Sequence, residues 1–170
     1  MNMKKFIVAT VVAGSMGSLA FASASDMDTW RVASTSDEGT VLTVVSGTDT
    51  KAGTFFSCTN GTLKFGVGLE GGDLAETLAT DTHRQSRRQA ETTIGDGETF
   101  ESDWTYLPSM KVAIARNEVT AKKFYNAAVR KDTVSWKLDR KSEIELSFPE
   151  LNDAFKSFAN DCSVTNPDAQ

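Results

Sequence analysis

The chain has 170 residues and a formal net charge of −5, which is enough length for one domain with one real core. Its acidic balance argues against nucleic acid as a partner, because such binding depends on neutralising phosphates. The same balance argues against adhesion to an anionic membrane surface and suits neutral or cationic partners.

The N-terminus has the pattern of a secretory signal peptide. Two lysines precede an uncharged, mostly apolar stretch over 6–21, and small residues end it at Ala22 and Ala24. This pattern predicts a signal peptide over 1–24 that is cleaved before Ser25. The alternative is a membrane anchor, but the stretch is short for the ~20 residues of a spanning helix. The short lysine start is typical of bacteria, so we expect a periplasmic or secreted product with no direct membrane insertion after cleavage.

Eight or nine short stretches have the alternating or β-branched pattern of strands, and turn residues separate them. Asn60–Gly61 and Asp96–Gly97 each favour a two-residue type I′ hairpin, because both pairs tolerate positive φ. Between these turns, residues 73–78 fit either one helical turn or a loop. The predicted strands are 30–34, 39–46, 54–58, 62–69, 88–94, 99–107, 111–116, 133–138 and 142–148.

Two helices are predicted in the C-terminal half. Asn117 caps the first, which runs to about Lys131 and has its apolar residues on one stripe. Pro149 suits the first turn of the second helix, where its missing N–H costs nothing. The stripe of the first helix is Ala121, Phe124, Ala128 and Val129, and that of the second is Leu151, Ala154, Phe155, Phe158, Ala159 and Cys162.

The chain has two cysteines, Cys58 at the end of a predicted strand and Cys162 on the stripe of the last helix. In an oxidising compartment this pair predicts a disulfide that staples the last helix to the sheet. Two free thiols or an intermolecular bond are the alternatives.

Strands that come first and helices that come late predict an α+β fold. We expect a mainly antiparallel, curved sheet or a small sandwich of eight or nine strands, with two helices in the C-terminal half. One β-rich domain then spans 25–162, and the tail 163–170 is predicted to be disordered.

Candidate catalytic residues are few. His83 is the only histidine, so any Ser-His-Asp or Cys-His site must use it, but its polar surroundings favour a solvated side chain. One histidine and a disulfide-bonded cysteine pair cannot supply a standard zinc site, and we expect no metal or cofactor. Asp96, Glu98, Glu101 and Asp103 surround a predicted hairpin turn. They fit either an acid–base pair for glycoside hydrolysis or a solvated turn.

Arg84, Arg87 and Arg88 form the one dense basic cluster in this acidic chain. On a helix all three share a face, whereas on a strand Arg84 and Arg88 lie opposite to Arg87. Either arrangement can dock a carboxylate or phosphate of a ligand or partner, and the alternative is a solvated basic segment.

The order of elements resembles that of small proteobacterial periplasmic proteins. A helix over 121–129, strand residues 134–136 and the segment 144–149 leading into 154–155 are similar to the end of invasion-associated locus B-like proteins. A cysteine before a hairpin, a Gly-Asp-Gly turn before Trp104 and a closing cysteine resemble the type VI secretion-associated TagO/VasI-like proteins. The resemblance implies a non-enzymatic envelope domain and assigns no functional residue.

These patterns favour an exported, non-catalytic binding or accessory domain that acts through contacts with another envelope protein. One form of such a domain is an inhibitor of an envelope hydrolase. A small-ligand carrier with an aromatic interior is an alternative. An enzyme that uses carboxylates such as Glu101 and Asp103 is less favoured.

Overall fold

The computed structural model describes residues 29–36, 39–45, 53–69, 74, 78, 84–97, 99–141 and 143–162. The predicted signal peptide, His83 and the predicted tail lie outside these residues. Nine strands and two helices have described bounds. The strands are β1 (Arg31–Ser36), β2 (Gly39–Val45), β3 (Gly53–Thr59), β4 (Thr62–Gly68), β5 (Ser86–Ile94), β6 (Phe100–Leu107), β7 (Val112–Ala115), β8 (Val134–Leu138) and β9 (Glu143–Leu146), and the helices are α1 (Glu118–Arg130) and α2 (Asp153–Asp161).

All nine strands belong to one sheet, in the order β1-β2-β3-β4-β7-β6-β5-β8-β9. Every neighbouring pair is antiparallel. The sheet is curved, and both helices follow the seventh strand along the chain. The expected α+β class with a curved antiparallel sheet is therefore confirmed, in the form of a single sheet.

β4, β6, β8 and β9 bury alternate side chains on one side of the sheet, which we call the inner face. α1 packs against β4 and β7, while α2 packs against β1 and β2. Phe65 of β4 stacks on Phe124 of α1, with ring centroids 4.2 Å apart. Phe56 of β3 contacts Phe155 and Phe158 of α2 at 6.5 and 6.4 Å. Both helices thus cover the inner face, where their apolar sides are buried against the apolar side chains of the sheet.

Trp30, which immediately precedes β1, joins the two ends of the sheet. Its ring stacks on Phe148 at 6.1 Å and meets the ring of Phe155 edge-on at 5.1 Å. Its Nε1 donates to the carbonyl oxygen of Pro149 at 3.3 Å, and Asn152 Nδ2 donates to the carbonyl oxygen of Trp30 at 2.8 Å. Because Phe148 follows β9, the segments beside the two outermost strands meet at this contact, which requires the curvature of the sheet.

The predicted disulfide between Cys58 and Cys162 is confirmed, with the two Cα atoms 5.5 Å apart. Cys58 lies near the end of β3, and Cys162 is the C-cap of α2 and fully buried. The bond therefore attaches the last helix to a strand 104 residues earlier in the chain.

One of the two predicted turns is confirmed and the other is wrong. Asn60 and Gly61 have φ values of 52° and 74°, as the type I′ turn between β3 and β4 requires. In the β5–β6 connection the positive φ belongs to Gly95, at 53°, and Gly97 N donates to the carbonyl oxygen of Ile94 at 3.0 Å. β5 ends at Ile94 and β6 begins at Phe100, so the connection is longer than a two-residue turn at Asp96–Gly97. The Asp96–Gly97 pair has the sequence of a type I′ turn, but the residue with positive φ is Gly95, one position before the pair.

The first helix agrees with its predicted cap, since Asn117 Oδ1 accepts from Thr120 N at 2.7 Å. Val129 was expected on its buried stripe, but it is 38% exposed, because each residue turns the helix by about 100° and Val129 falls beyond the buried face centred on Phe124 and Ala128. In α2 the expected role of Pro149 is wrong. The helix begins at Asp153 with Asn152 as N-cap, so Pro149 and the exposed Leu151 precede it.

Within the uncertain stretch before β5, Leu74 and Leu78 are helical and buried. Their spacing of four residues fits the helical alternative for 73–78, and both belong to the core. The residues between them lie outside the described part of the chain.

We expect the disulfide to supply a large share of the stability. The chain-entropy model for a loop of this length gives ~4–5 kcal/mol as an upper figure. The Cys58→Ser/Cys162→Ser variant should therefore melt about 10–15 °C below the oxidised protein. Reductant should lower the melting temperature of the native protein and leave that of the variant unchanged. Equal melting temperatures of the oxidised protein and the variant would contradict this.

Because Tyr125 is buried, we expect the folded protein to lose stability at alkaline pH. The residue is buried between Phe56 and Phe155, at ring distances of 5.7 and 5.2 Å, and burial raises the pKa of its hydroxyl to about 12. A tyrosine in the unfolded chain ionises near pH 10. Since the folded pKa is higher, this contribution to stability is complete below about pH 10 and is lost as the pH rises through about 12.

Urea unfolding should accordingly show a free energy that falls between about pH 10 and pH 12. The fall should be less steep in Tyr125→Phe, which has no hydroxyl at this position to titrate. Identical slopes for the two proteins would show that Tyr125 is not responsible.

Candidate interaction surface

The inner face of the sheet is filled with aromatic side chains in mutual contact. The ring of Trp104 lies 6.1 Å from that of Phe65, 5.7 Å from that of Phe124 and 5.0 Å from that of Trp136. Trp104 is fully buried, and its Nε1 donates to Ser102 Oγ at 2.9 Å. This side of the sheet is a packed core, so an interaction surface has to be sought on the other side, the outer face.

One part of the outer face is apolar. Phe55 of β3 lies directly on Gly66 of β4, so that a Cβ added at Gly66 would collide with the phenyl ring. Gly66 in turn is the register partner of Ile114 on β7. Phe55 and Ile114 are half-buried. Because Gly66 has no side chain, the ring of Phe55 can lie flat against the backbone of the sheet.

The other part of the outer face, formed by β5, β6, β8 and β9, is charged. We call it the charged face. Its members alternate with buried residues along each strand, as the two-residue period of a strand requires. They are Arg87, Gln89, Glu91, Glu101, Asp103, Lys137, Glu143 and Glu145.

Across the middle of the charged face, four residues form a row over four strands. Glu101 is opposite Glu91, Glu91 is opposite Lys137, and Lys137 is opposite Glu143. The Glu101–Glu91 pair places like charges side by side, which costs stability. Lys137 and the nearby Arg140, whose Nη2 lies 3.8 Å from Glu101 Oε1, offset part of that cost.

A shallow cleft of about 200 Å³ opens beside this row. Gln89, Glu91 and Glu101 line it from the strands, and Asp139 and Arg140 line it from the turn after β8. The lining is mainly polar and charged, so the cleft suits a charged or polar group of a partner and not an apolar ligand.

The arginine cluster is divided between the two faces of the sheet. Arg87 is on the outer face, 64% exposed, and its Nη2 lies 2.7 Å from Asp103 Oδ2. Arg88 points to the inner side, is 15% exposed, and its Nη1 donates to Asp139 Oδ2 at 2.7 Å. Arg84 precedes β5 and is exposed. The three side chains therefore do not form one patch, and the role of Arg84, Arg87 and Arg88 as an anion or partner contact stays a prediction.

The acidic group around the β5–β6 connection is also dispersed. Asp96 is exposed in the connection, and Glu98 lies outside the described residues. Glu101 and Asp103 are both on the charged face. The hydrogen bond from Arg87 lowers the pKa of Asp103, against a smaller opposing effect of desolvation. A general acid for glycoside hydrolysis needs a raised pKa, so Asp103 is unsuited to that role.

No group of three or more histidine, cysteine or acidic side chains among the described residues has the geometry to hold a metal ion. In the same part of the chain, none of the helices is long and apolar enough to cross a membrane.

No family model, no curated protein and no solved structure matches this chain. The resemblance to small periplasmic proteins thus stays a prediction.

Asp139 and Arg140 were missed by the sequence reasoning. Both have positive φ, 53° and 56°, in the turn between β8 and β9. This turn brings Asp139 to Arg88, 51 residues earlier in the chain, and also to Gln89, whose N–H donates to Asp139 Oδ1 at 3.2 Å. The sequence has no glycine or asparagine here; Asp139 tolerates positive φ, but this alone does not indicate a contact with a residue 51 positions earlier.

Alanine substitutions of Arg87 and Arg88 should have different effects on the free energy of unfolding. Arg88→Ala leaves the half-buried Asp139 carboxylate without its partner and should cost about 1–3 kcal/mol of unfolding free energy. Arg87→Ala removes an exposed pair and should leave the urea midpoint unchanged. If Arg87→Ala proved the more destabilising of the two, the assignment of the arginines to the two faces would be wrong.

Proposed function

We propose that this chain is an exported accessory domain that binds another protein of the bacterial cell envelope through its charged face. The N-terminal pattern supports export to the periplasm or the medium. The Cys58–Cys162 bond fits the same destination, because disulfides persist in oxidising compartments.

The observation that supports the binding role is the difference between the two faces of the sheet, one packed with aromatic rings and the other charged. Contacting aromatic rings occupy the interior that a small-ligand carrier would keep open. The charged face, in contrast, is held by four strands that pair along their length. A rigid surface with fixed charges of both signs is suited to selecting a partner of complementary charge.

Reversible crosslinking in intact cells tests this proposal. The tagged, exported protein should capture one dominant, stoichiometric envelope protein, identified by mass spectrometry. Glu91→Lys/Glu101→Lys should abolish the capture, because it reverses the charge at the centre of the charged face. Lys122→Glu, on the exposed side of α1, is the matched control and should capture as the native protein does.

Both variants must melt as the native protein does, so that loss of capture reports on the surface and not on folding. Capture that is equal in all three proteins would exclude the charged face as the contact. Absence of any capture above background would overturn the accessory role, and hydrolase and small-ligand screens on the purified domain would then take its place.

A further inference from the structure

The two outermost strands of the sheet, β1 and β9, differ in how far other described elements cover their outer edges. β1 has a register shift between Val32 and Ser34, and α2 packs against it. Asn152 also bonds to the carbonyl oxygen of Trp30 at its start. Among the described elements, β9 pairs with β8 and makes no other extensive contact. Bulges and covering elements are ways to close a sheet edge, so β1 is protected, whereas no described element covers the outer edge of β9.

The hydrogen bonds of β8 show which backbone groups of β9 face outward. Asp139 N donates to the carbonyl oxygen of Gln89, and Gly95 N donates to that of Thr133. Because bonded and non-bonded pairs alternate in an antiparallel ladder, the odd-numbered residues of β8 bond to β5 and the even-numbered ones bond to β9.

The even-numbered residues Val134 and Trp136 are opposite Leu146 and Ile144. Ile144 and Leu146 therefore direct their backbone groups to β8. The N–H and C=O groups of Glu143 and Glu145 point away from the sheet, and no residue of the described chain bonds to them. They form an open hydrogen-bonding edge.

The side chains at this edge are acidic. Glu143 and Glu145 are exposed and lie on the charged face. Ser135 Oγ donates to Glu143 Oε1 at 2.5 Å, and Lys137 is opposite Glu143. The carboxylate of Glu145 has no hydrogen bond or ion pair with any described residue. A strand added here would place alternate side chains beside these glutamates, where positive charge stabilises and negative charge destabilises.

We propose that the β9 edge is a strand-addition site for an extended segment of the partner protein with lysine or arginine at alternate positions. The main-chain groups of Glu143 and Glu145 supply the hydrogen bonds, and their carboxylates select the basic side chains. This proposal rests on the proposed function, which supplies the partner. A second copy of the chain is excluded as the occupant, because antiparallel pairing of two β9 edges would oppose glutamate with glutamate between two acidic molecules.

A synthetic peptide in which lysine alternates with valine is the probe. On addition to the disulfide-bonded, signal-free chain, it should shift the NMR signals of the Glu143 and Glu145 amides and slow their hydrogen exchange at least about tenfold. A peptide with glutamate in place of lysine should do neither. If the lysine peptide leaves both amides unchanged at millimolar concentration, the proposal is wrong.

Two substitutions of Glu145 distinguish the contribution of its backbone N–H to peptide binding from that of its carboxylate. Glu145→Pro removes the outward N–H and leaves the ladder to β8 intact, and Glu145→Gln keeps the N–H and removes the charge. We expect Glu145→Pro to weaken binding of the lysine peptide at least about tenfold and Glu145→Gln to weaken it less. Equal melting temperatures of the two variants would show that the proline is tolerated. Equal affinity of Glu145→Pro and the native chain for the peptide would overturn the strand-addition site.

If the proline variant fails to fold, the charge-swapped variant Glu143→Lys/Glu145→Lys decides the question. It should bind the glutamate peptide and lose the lysine peptide, and an unchanged preference would overturn the proposal.

The crosslinking experiment distinguishes this proposal from the proposed function. If the native chain captures an envelope partner and Glu145→Pro captures it equally well, the edge is not the contact, but the accessory role stands. If the native chain captures nothing, the accessory role fails, and the peptide measurements still decide whether the edge accepts a strand.

Discussion

The attachment of the C-terminal segment across the first strands is the constraint on which the rest of the structure depends. Trp30 contacts Phe148 and Phe155, and Cys58 is bonded to Cys162. A sheet must bury one face, and here the two described helices have nine strands to cover. Because α2 is fixed over β1 and β2, the sheet has to curve until the segments beside its outer strands meet, and the inner face is then closed to water.

This closure decides where the molecule can interact. The rings of the inner face contact one another and are unavailable to a partner. Recognition is thus left to the outer face and to the edges of the sheet. The same C-terminal segment that closes the core also lies over the β1 side, because Asn152 and α2 pack there. β9, beside the charged face, is the outermost strand that no described element covers.

Much of the fold could be predicted from local patterns. The alternation in β4 and β9, the Asn60–Gly61 turn and the Asn117 cap each depend on neighbours close in sequence, and each is as expected. The errors occur where distant groups decide. Leu151 was expected on the stripe of α2, but Asn152, whose Nδ2 donates to the carbonyl oxygen of the distant Trp30, caps that helix and leaves Leu151 outside it. In the β5–β6 connection, strand pairing extends to Ile94 and places the positive φ at Gly95.

By itself, the sequence determined the fold class and the disulfide pair, and it singled out Arg87, Glu101 and Asp103 among the residues of the charged face. These follow from periodicity, turn chemistry and composition, which act over a few residues. Only the tertiary structure decided that Asp139 pairs with Arg88 and that the backbone of Glu143 and Glu145 faces outward. Those outcomes depend on strand order and register, which join residues about 50 positions apart through contacts that no local pattern encodes.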